Sequence, residues 1–155
     1  MNIRRFTAND AQETAAMIAR TLRISNVKDY TPEMMEECVL SLSADKLIER
    51  AVWLHFYVAE DAGHIIGCGG IGPYWGKDDE SSLFTVFVDP DMQGKGVGRA
   101  VINILEQDEF FLRAKRIEIP SSITAVNFYK KFGYDHKPGY EEPDEESIYR
   151  LEKFR

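Results

Sequence analysis

A short glycine-rich segment in the middle of the chain constrains its fold most. Residues 88–99 are VDPDMQGKGVGR. An apolar run rich in aromatic and β-branched residues, 83–88, leads into this segment and predicts a buried strand. Val101, Ile102 and Leu105 follow it at the spacing of one helix face. The glycines therefore lie where a strand is followed by a helix.

Such a junction is suited to binding a diphosphate. Gly94, Gly96 and Gly98 lack β-carbons, which permits unusual φ angles and lets the backbone approach a ligand closely. The first N–H groups of a helix have no intrahelical partners and lie at the positive end of its dipole. Lys95 and Arg99 add positive charge. The alternative is a glycine-rich turn without a ligand.

Two nucleotide-binding motifs do not fit this segment. It lacks the G-x-x-x-x-G-K-[ST] pattern of a P-loop. The spacing of its glycines also differs from the G-x-G-x-x-G of dinucleotide-binding folds. The order of strand, proline, glutamine, glycines and helix argues against a plain turn. The segment Val88–Arg99 closely resembles the acetyl-CoA pyrophosphate loop of the GNAT superfamily, the GCN5-related N-acetyltransferases.

A second motif lies downstream. Residues 125–134, AVNFYKKFGY, follow a predicted fifth strand and resemble the late GNAT helix, often written Ala-x-x-Phe-Tyr-x-Lys-x-Gly-Phe. Family members often carry an asparagine shortly before this alanine. Here Ser122 and Thr124 hold those positions, and a hydroxyl there can also bond a pantetheine amide. The first half of the chain agrees with the family only in the order of its elements.

The resemblance implies acetyl transfer from acetyl-CoA to a primary amine of a small molecule or peptide, through a ternary complex. In the implied donor site the backbone of Phe87 and Val88 pairs with pantetheine. A further set of residues surrounds the diphosphate: Gln93, Gly94, Lys95, Gly96, Val97, Gly98 and Arg99. No metal is implied. The rival hypothesis is a non-catalytic acyl-CoA-binding regulatory or interaction module.

The resemblance also suggests catalytic roles. Tyr129 occupies the family's general-acid position, although it is also a plausible core tyrosine of an amphipathic helix. Backbone N–H groups of residues 86–88 would stabilise the thioester oxygen as it becomes negative. Glu80 is the first candidate for the base that deprotonates the amine, and Glu118 is the second. In the equally plausible alternative, both glutamates are solvated surface acids and ordered water takes the proton of the amine.

The predicted fold is one domain, residues 1–155, of the α/β class (α+β by some schemes). A GNAT-like fold has a mixed, mostly antiparallel twisted sheet with a splayed central parallel strand pair, flanked by helices. We predict strands at 2–6, 52–60, 65–74, 83–88, 116–119, 134–137 and 147–153. We predict helices from the Thr7–Asp10 region to Leu22, from Thr31-Pro32 onward, at 44–49, from the glycines to about 113, and at 123–132.

Composition narrows the function further. The formal net charge of −7 argues against general nucleic-acid binding and is compatible with a cationic acceptor. The sequence has no apolar run long enough to span a membrane and no signal-peptide pattern, so we expect a cytoplasmic protein. Cys38 and Cys68 are predicted to be buried thiols rather than a metal site or redox pair.

Several positions keep two interpretations. The acidic residues of 141–146, EEPDEE, are either a solvated loop or a device that concentrates a cationic acceptor, since this loop commonly borders the acceptor entrance in GNAT proteins. Met34 and Met35 are more plausible as core residues than as the lining of a substrate pocket. The identity of the acceptor and the presence of a homodimer stay open.

Overall fold

Seven strands of the computed structural model, which describes residues 1–155, pair in one sheet. They are β1 Asn2–Arg5, β2 His55–Asp61, β3 His64–Pro73, β4 Glu80–Val88, β5 Arg116–Ser122, β6 Asp135–His136 and β7 Ile148–Phe154. Their order across the sheet is β1-β2-β3-β4-β5-β7-β6. Only β4 and β5 are parallel, and every other neighbouring pair is antiparallel. The predicted mixed, mostly antiparallel sheet with a central parallel pair is confirmed.

Helices cover both faces of the sheet. They are α1 Ala11–Ile24, α2 Pro32–Ser41, α3 Ala44–Trp53, α4 Val97–Leu105, α5 Glu109–Leu112 and α6 Val126–Lys130. The strand alternation of β4 shows the two layers: Leu83 packs in the core under α4, whereas Phe84 packs against the core under α1–α3. None of the helices is long and apolar enough to cross a membrane.

The signals that start and stop helices act as predicted. Thr31 caps α2, its Oγ1 accepting a hydrogen bond from the Met34 N–H at 3.2 Å, and Pro32 takes the first helical position. After α6, Gly133 adopts a φ of +92°, which a residue with a β-carbon rarely adopts. These local signals need no tertiary context, which is why the sequence alone reveals them.

The predicted ends of two helices, α3 and α4, are wrong. The helix predicted to end near residue 49 continues to Trp53, so β2 begins at His55 rather than Val52. The helix predicted to reach about 113 is two helices, α4 and α5. Asp108 causes this break, because its carboxylate caps α5 through the Phe110 N–H at 2.8 Å and also accepts from Tyr57 Oη at 2.6 Å.

The predicted break of β5 at Pro120 is also wrong. The strand runs on to Ser122, with Pro120 opposite Arg150 of β7. Proline lacks an N–H and is tolerated where no second neighbour needs one. β4 has left β5 before this point, so β5 is paired on one side only there.

Asp10 ties the first strand to the first helix. Its carboxylate receives two bonds from the Arg4 guanidinium, both 2.8 Å, and one from the Thr7 N–H at 2.8 Å. These donors lower the pKa of Asp10 to about 2. The resulting stabilisation is present above the ordinary aspartate pKa of about 4 and is lost as the pH falls toward 2.

We therefore expect Asp10→Asn to lower the free energy of unfolding by about 1 kcal/mol at pH 7, since solvent screens part of the ion pair. The difference should shrink near pH 2, where about half of the wild-type carboxyl groups are protonated. Urea unfolding at both pH values measures it, with exposed Asp78→Asn as the control. An equal loss of stability at both pH values would contradict the assignment.

Candidate active site

The parallel strands β4 and β5 separate in the middle of the sheet. They pair over three residues each, Glu80–Ser82 with Arg116–Glu118. Beyond Ser82, β4 stays paired with β3, and β5 stays paired with β7. The facing edges are thus left without a strand partner, and a cavity of about 860 Å³ lies against them. Such a volume is ample for an elongated small-molecule ligand. The predicted splay is therefore present.

The glycine-rich loop closes one end of this cavity. Gly96 directly precedes α4 with a φ of +86°, and Gly94 has a φ of +77°. Gly98 is required for a different reason, because a β-carbon there would lie 2.9 Å from the Phe128 ring. Two glycines are thus needed for backbone conformation and the third for close packing.

The loop presents the amino end of α4 to the solvent at the cavity mouth. The Ala100 N–H bonds the Gly96 carbonyl at 3.1 Å, so the N–H groups just before it have no intrahelical acceptor. Gln93 holds the loop in place by donating from Nε2 to Ser25 Oγ and to the Val88 carbonyl, each at 3.2 Å. This arrangement can bind an anion.

The predicted donor-site residues are arranged in three ways. Seven of them line the cavity: Phe87, Val88, Gln93, Gly94, Gly98, Ser122 and Thr124. Lys95, Gly96 and Arg99 are exposed, with the Arg99 guanidinium 5.1 Å above the Phe132 ring, whereas Val97 is buried in the core. The Thr124 hydroxyl donates to Asp29 at 2.7 Å. This hydrogen bond competes with the predicted hydrogen bond from Thr124 to pantetheine.

A β-bulge distorts β4 where it borders the cavity. The register passes from Cys68 opposite Phe87 to Gly70 opposite Phe84, so β4 holds one extra residue there. Within the bulge Thr85 has a φ of +57°, an outlier for a β-branched residue. Strain of this kind is frequent at functional sites. The bulge removes part of β4 from the regular ladder, which favours N–H groups free to meet a ligand.

Tyr129 reaches the cavity from α6. Tyr129 is only 5% exposed and lines the cavity, and its hydroxyl makes no hydrogen bond to the protein. Burial raises the pKa of this phenol well above its ordinary value. A neutral, unpartnered phenol can donate a proton or a hydrogen bond to a ligand in the cavity.

Glu80 lies away from this cavity. Its carboxylate accepts from Arg116 Nη1 at 2.9 Å and lies 3.5 Å from Lys77 Nζ. Neither oxygen borders the space beside Tyr129. Its role as the base stays a prediction, and these contacts favour a structural ion pair. Glu118, the second candidate, is buried and lies beside a smaller, separate cavity.

The outer wall of the cavity comes from α1, α2 and the loop before β7. Met34 and Met35 both line it, so the substrate-pocket interpretation of these residues gains support, although Met35 is also packed in the core. Three exposed carboxylates border the cavity, those of Glu37, Glu145 and Glu146.

Tyr30 is a wall residue that the sequence analysis missed. Its hydroxyl donates to the Ser147 carbonyl at 2.8 Å and accepts from the Ile123 N–H at 2.8 Å. It thereby joins the α1–α2 connection to two loops that are distant in sequence. No local pattern marks such a residue.

Comparison with known proteins places these features in a family. The family profile described as "Acetyltransferase (GNAT) domain" matches residues 53–136. The chain belongs to the GNAT acetyltransferase family. The match includes the parted strands and the glycine-rich loop, as well as Tyr129. The protein is therefore an N-acetyltransferase, with acetyl-CoA as its acyl donor.

Similar proteins agree with the GNAT assignment. An amino-acid acetyltransferase of Mycobacterium tuberculosis is 28% identical over 124 residues, which cover 78% of this chain and 68% of that protein. The PaiA N-acetyltransferase from Thermoplasma acidophilum, solved in complex with coenzyme A, has the same fold, with a TM-score of 0.84, 16% identity and coverage of 99% and 98%. A GCN5-related N-acetyltransferase from Rhodopseudomonas palustris has a TM-score of 0.81, 21% identity and coverage of 99% and 95%.

Proposed function

We propose that this GNAT protein acetylates the primary amine of a small molecule or peptide that binds as a cation, through a ternary complex. One observation carries the proposal. The cavity between the parted strands joins an anion-binding loop at one end to an unpartnered phenol, Tyr129, farther along. These are the groups that a diphosphate and a departing thiolate require.

The donor site follows from this geometry. The diphosphate binds to N–H groups of the loop from Gln93 to Arg99, and Lys95 adds charge. Pantetheine runs along the free edge of β4 at Phe87 and Val88. Ser122 and Thr124 bond its amides, the latter after exchanging its bond to Asp29. The order of these contacts along β4 brings the thioester to the bulge.

The chemical step needs three groups. The ammonium first loses one proton to water, or to Glu80 if that residue leaves Arg116, and the neutral amine nitrogen attacks the thioester carbonyl carbon while N–H groups of residues 86–88 stabilise the resulting oxyanion. The C–S bond then breaks, and Tyr129 donates its proton to the thiolate. The second N–H proton of the former amine returns to the Tyr129 oxygen and restores the acid. Overall, acetyl-CoA and an ammonium ion give an acetamide, coenzyme A and a proton.

The acidic mouth of the cavity supports a cationic acceptor. Glu37 of α2 and the pair Glu145–Glu146 border the same opening. Clustered charge of one sign raises the local concentration of an oppositely charged substrate, and salt screens this effect. The relative named an amino-acid acetyltransferase makes the α-amino group of amino acids a first class to test.

We expect Glu145→Gln combined with Glu146→Gln to raise the acceptor KM by about threefold at low salt and to flatten its salt dependence. The acetyl-CoA KM should stay nearly constant. The matched control is Glu141→Gln with Glu142→Gln, which removes two charges of the same loop that do not border the cavity. Equal effects of the two double variants would indicate a nonspecific effect of net charge.

Coenzyme A release tests the proposed function itself. Purified protein is incubated with acetyl-CoA and pooled primary amines, and free thiol is measured over time. Amine-dependent release is the expected result. Binding of acetyl-CoA without release of coenzyme A in the presence of any amine pool would instead support a non-catalytic acyl-CoA-binding module.

Three further expectations stay predictions: the homodimer, the single domain of residues 1–155 and the cytoplasmic location. The pairing of all strands in one sheet favours the single domain.

A further inference from the structure

A second, smaller cavity adjoins the first where β4 and β5 separate. Its volume is about 330 Å³, near the lower end for small-molecule sites. Phe84 and Pro120 line both cavities, so these two residues form a wall that the cavities share. The second cavity thus lies beside the residues at which β4 and β5 separate.

Glu118 carries a buried carboxylate into this second cavity. Its side chain is 4% exposed. Oε1 accepts hydrogen bonds from Lys137 Nζ, at 3.1 Å, and from Arg116, whereas Oε2 receives none from the protein. Oε2 therefore keeps its lone pairs available to a donor from outside the protein. The free oxygen is therefore suited to an N–H donor on a ligand.

Aromatic side chains form the walls above this carboxylate. The rings of Trp53 and Phe84 pack edge to face at 5.4 Å. Trp75 stands at the rim with 84% of its surface exposed and a φ of +46°, both unusual for a large side chain. Aromatic faces attract ammonium groups and also cover apolar carbon.

The remaining charged residue of the wall is paired with a carboxylate. Arg150 also borders the second cavity, and its guanidinium is bound to Asp144, with Nε 3.1 Å from Oδ2. This ion pair offsets the positive charge of Arg150, whereas Glu118 offers an oxygen that no protein donor occupies. The free oxygen and the aromatic walls together suit a cation with an apolar body.

We propose that the second cavity is the acceptor pocket and binds the acceptor as a primary ammonium ion. Glu118 is its ionic partner, and the carbon body lies between Trp53 and Trp75. This inference rests on the proposed function and adds the place and chemistry of acceptor binding. It makes Glu118 a specificity residue for the amine, separate from the acidic mouth of the larger cavity.

The chain supplies its own reporter for this pocket. It has two tryptophans, Trp53 and Trp75, and both line the second cavity. Tryptophan fluorescence of the full-length protein, saturated with coenzyme A, can be titrated with n-butylamine, benzylamine and phenethylamine. We expect a saturable change with at least one amine. 2-Phenylethanol, which lacks the charge of phenethylamine, should bind at least about tenfold more weakly.

Two glutamates on the same arginine provide a matched pair of variants. Glu118→Gln should weaken binding of the amine by at least about tenfold. Glu152→Gln should change it less than about twofold, because Glu152 accepts from Arg116 Nε at 2.8 Å but does not border the cavity. Trp75→Ala, on an exposed side chain, should weaken binding about threefold without affecting folding.

These results separate the inference from the proposed function. If amines drive coenzyme A release but Glu118→Gln and Trp75→Ala bind the amine as wild type does, the acceptor pocket is elsewhere and this inference is wrong. If Glu118→Gln does not fold, the Trp75→Ala result and the comparison of phenethylamine with 2-phenylethanol decide. Absence of any saturable fluorescence change would also overturn the inference. Failure of coenzyme A release with every amine would overturn the proposed function first.

Discussion

Replacing Tyr129 with phenylalanine is expected to lower kcat on the order of 100-fold while leaving the acetyl-CoA KM nearly unchanged. A general acid acts only in the transition state, so its loss should affect turnover rather than binding. The hydroxyl has no hydrogen-bond partner in the protein, and the substitution should therefore leave the fold intact. Steady-state kinetics over both substrates measure the effect.

The pH dependence should follow from the burial of this phenol. Burial raises the pKa of Tyr129, so the acid form persists at neutral and moderately alkaline pH. Wild-type kcat should therefore not fall through loss of this proton below the ordinary tyrosine pKa of about 10. Any decrease of kcat on the acid side belongs to protonation of the acceptor amine or its base.

Tyr134→Phe is the matched control for this variant. Tyr134 is also buried and its ring lies 6.4 Å from that of Tyr129, but its hydroxyl donates to Glu106 at 3.1 Å and does not border the cavity. It should lose stability and keep wild-type kcat. A Tyr129→Phe enzyme with wild-type kcat would leave Tyr129 with a packing role only.

Gly96→Glu is expected to weaken coenzyme A binding by more than about tenfold, or roughly 1.4 kcal/mol. Gly96 directly precedes α4 at a positive φ, and no protein atom lies within 4 Å of a β-carbon built there. A glutamate side chain would thus enter the space assigned to the diphosphate and repel it. Calorimetric titration of coenzyme A into both proteins gives the difference.

Gly96→Gln separates charge from shape in that experiment. Both substitutions place a side chain of similar size at the same strained φ. Glutamine should therefore weaken binding by less than glutamate does. Equal affinity of the wild type and the Gly96→Glu protein, with both folded, would place the diphosphate elsewhere.

Much of the geometry of the proposed donor site could be predicted because its determinants are local. The loop needs a positive φ at residues 94 and 96, and glycine at both positions indicates this conformation from the sequence alone. The same holds for the Thr31 cap and for the stop at Gly133. The family resemblance then extended these local features to the parted strands, which the register of β4 and β5 confirms.

The features that were missed depend on tertiary contacts. Thr85 is an ordinary strand residue by type, and only the pairing of β3 with β4 reveals its bulge. Asp108 caps α5 through a nearby backbone N–H, but its carboxylate is also held by Tyr57 of strand β2, a contact that no local pattern predicts. The second cavity combines residues as far apart as Trp53 and Arg150, so no spacing in the sequence predicts it.

A crystal structure of the complex with coenzyme A would show directly whether the parted strands hold the acyl donor. We expect diphosphate oxygens within about 3.2 Å of backbone nitrogens in the loop from Gln93 to Arg99. We also expect pantetheine along β4 at Phe87 and Val88, with the thiol facing the Tyr129 hydroxyl. A diphosphate bound away from the amino end of α4, or a thiol directed away from Tyr129, would contradict the proposed donor site.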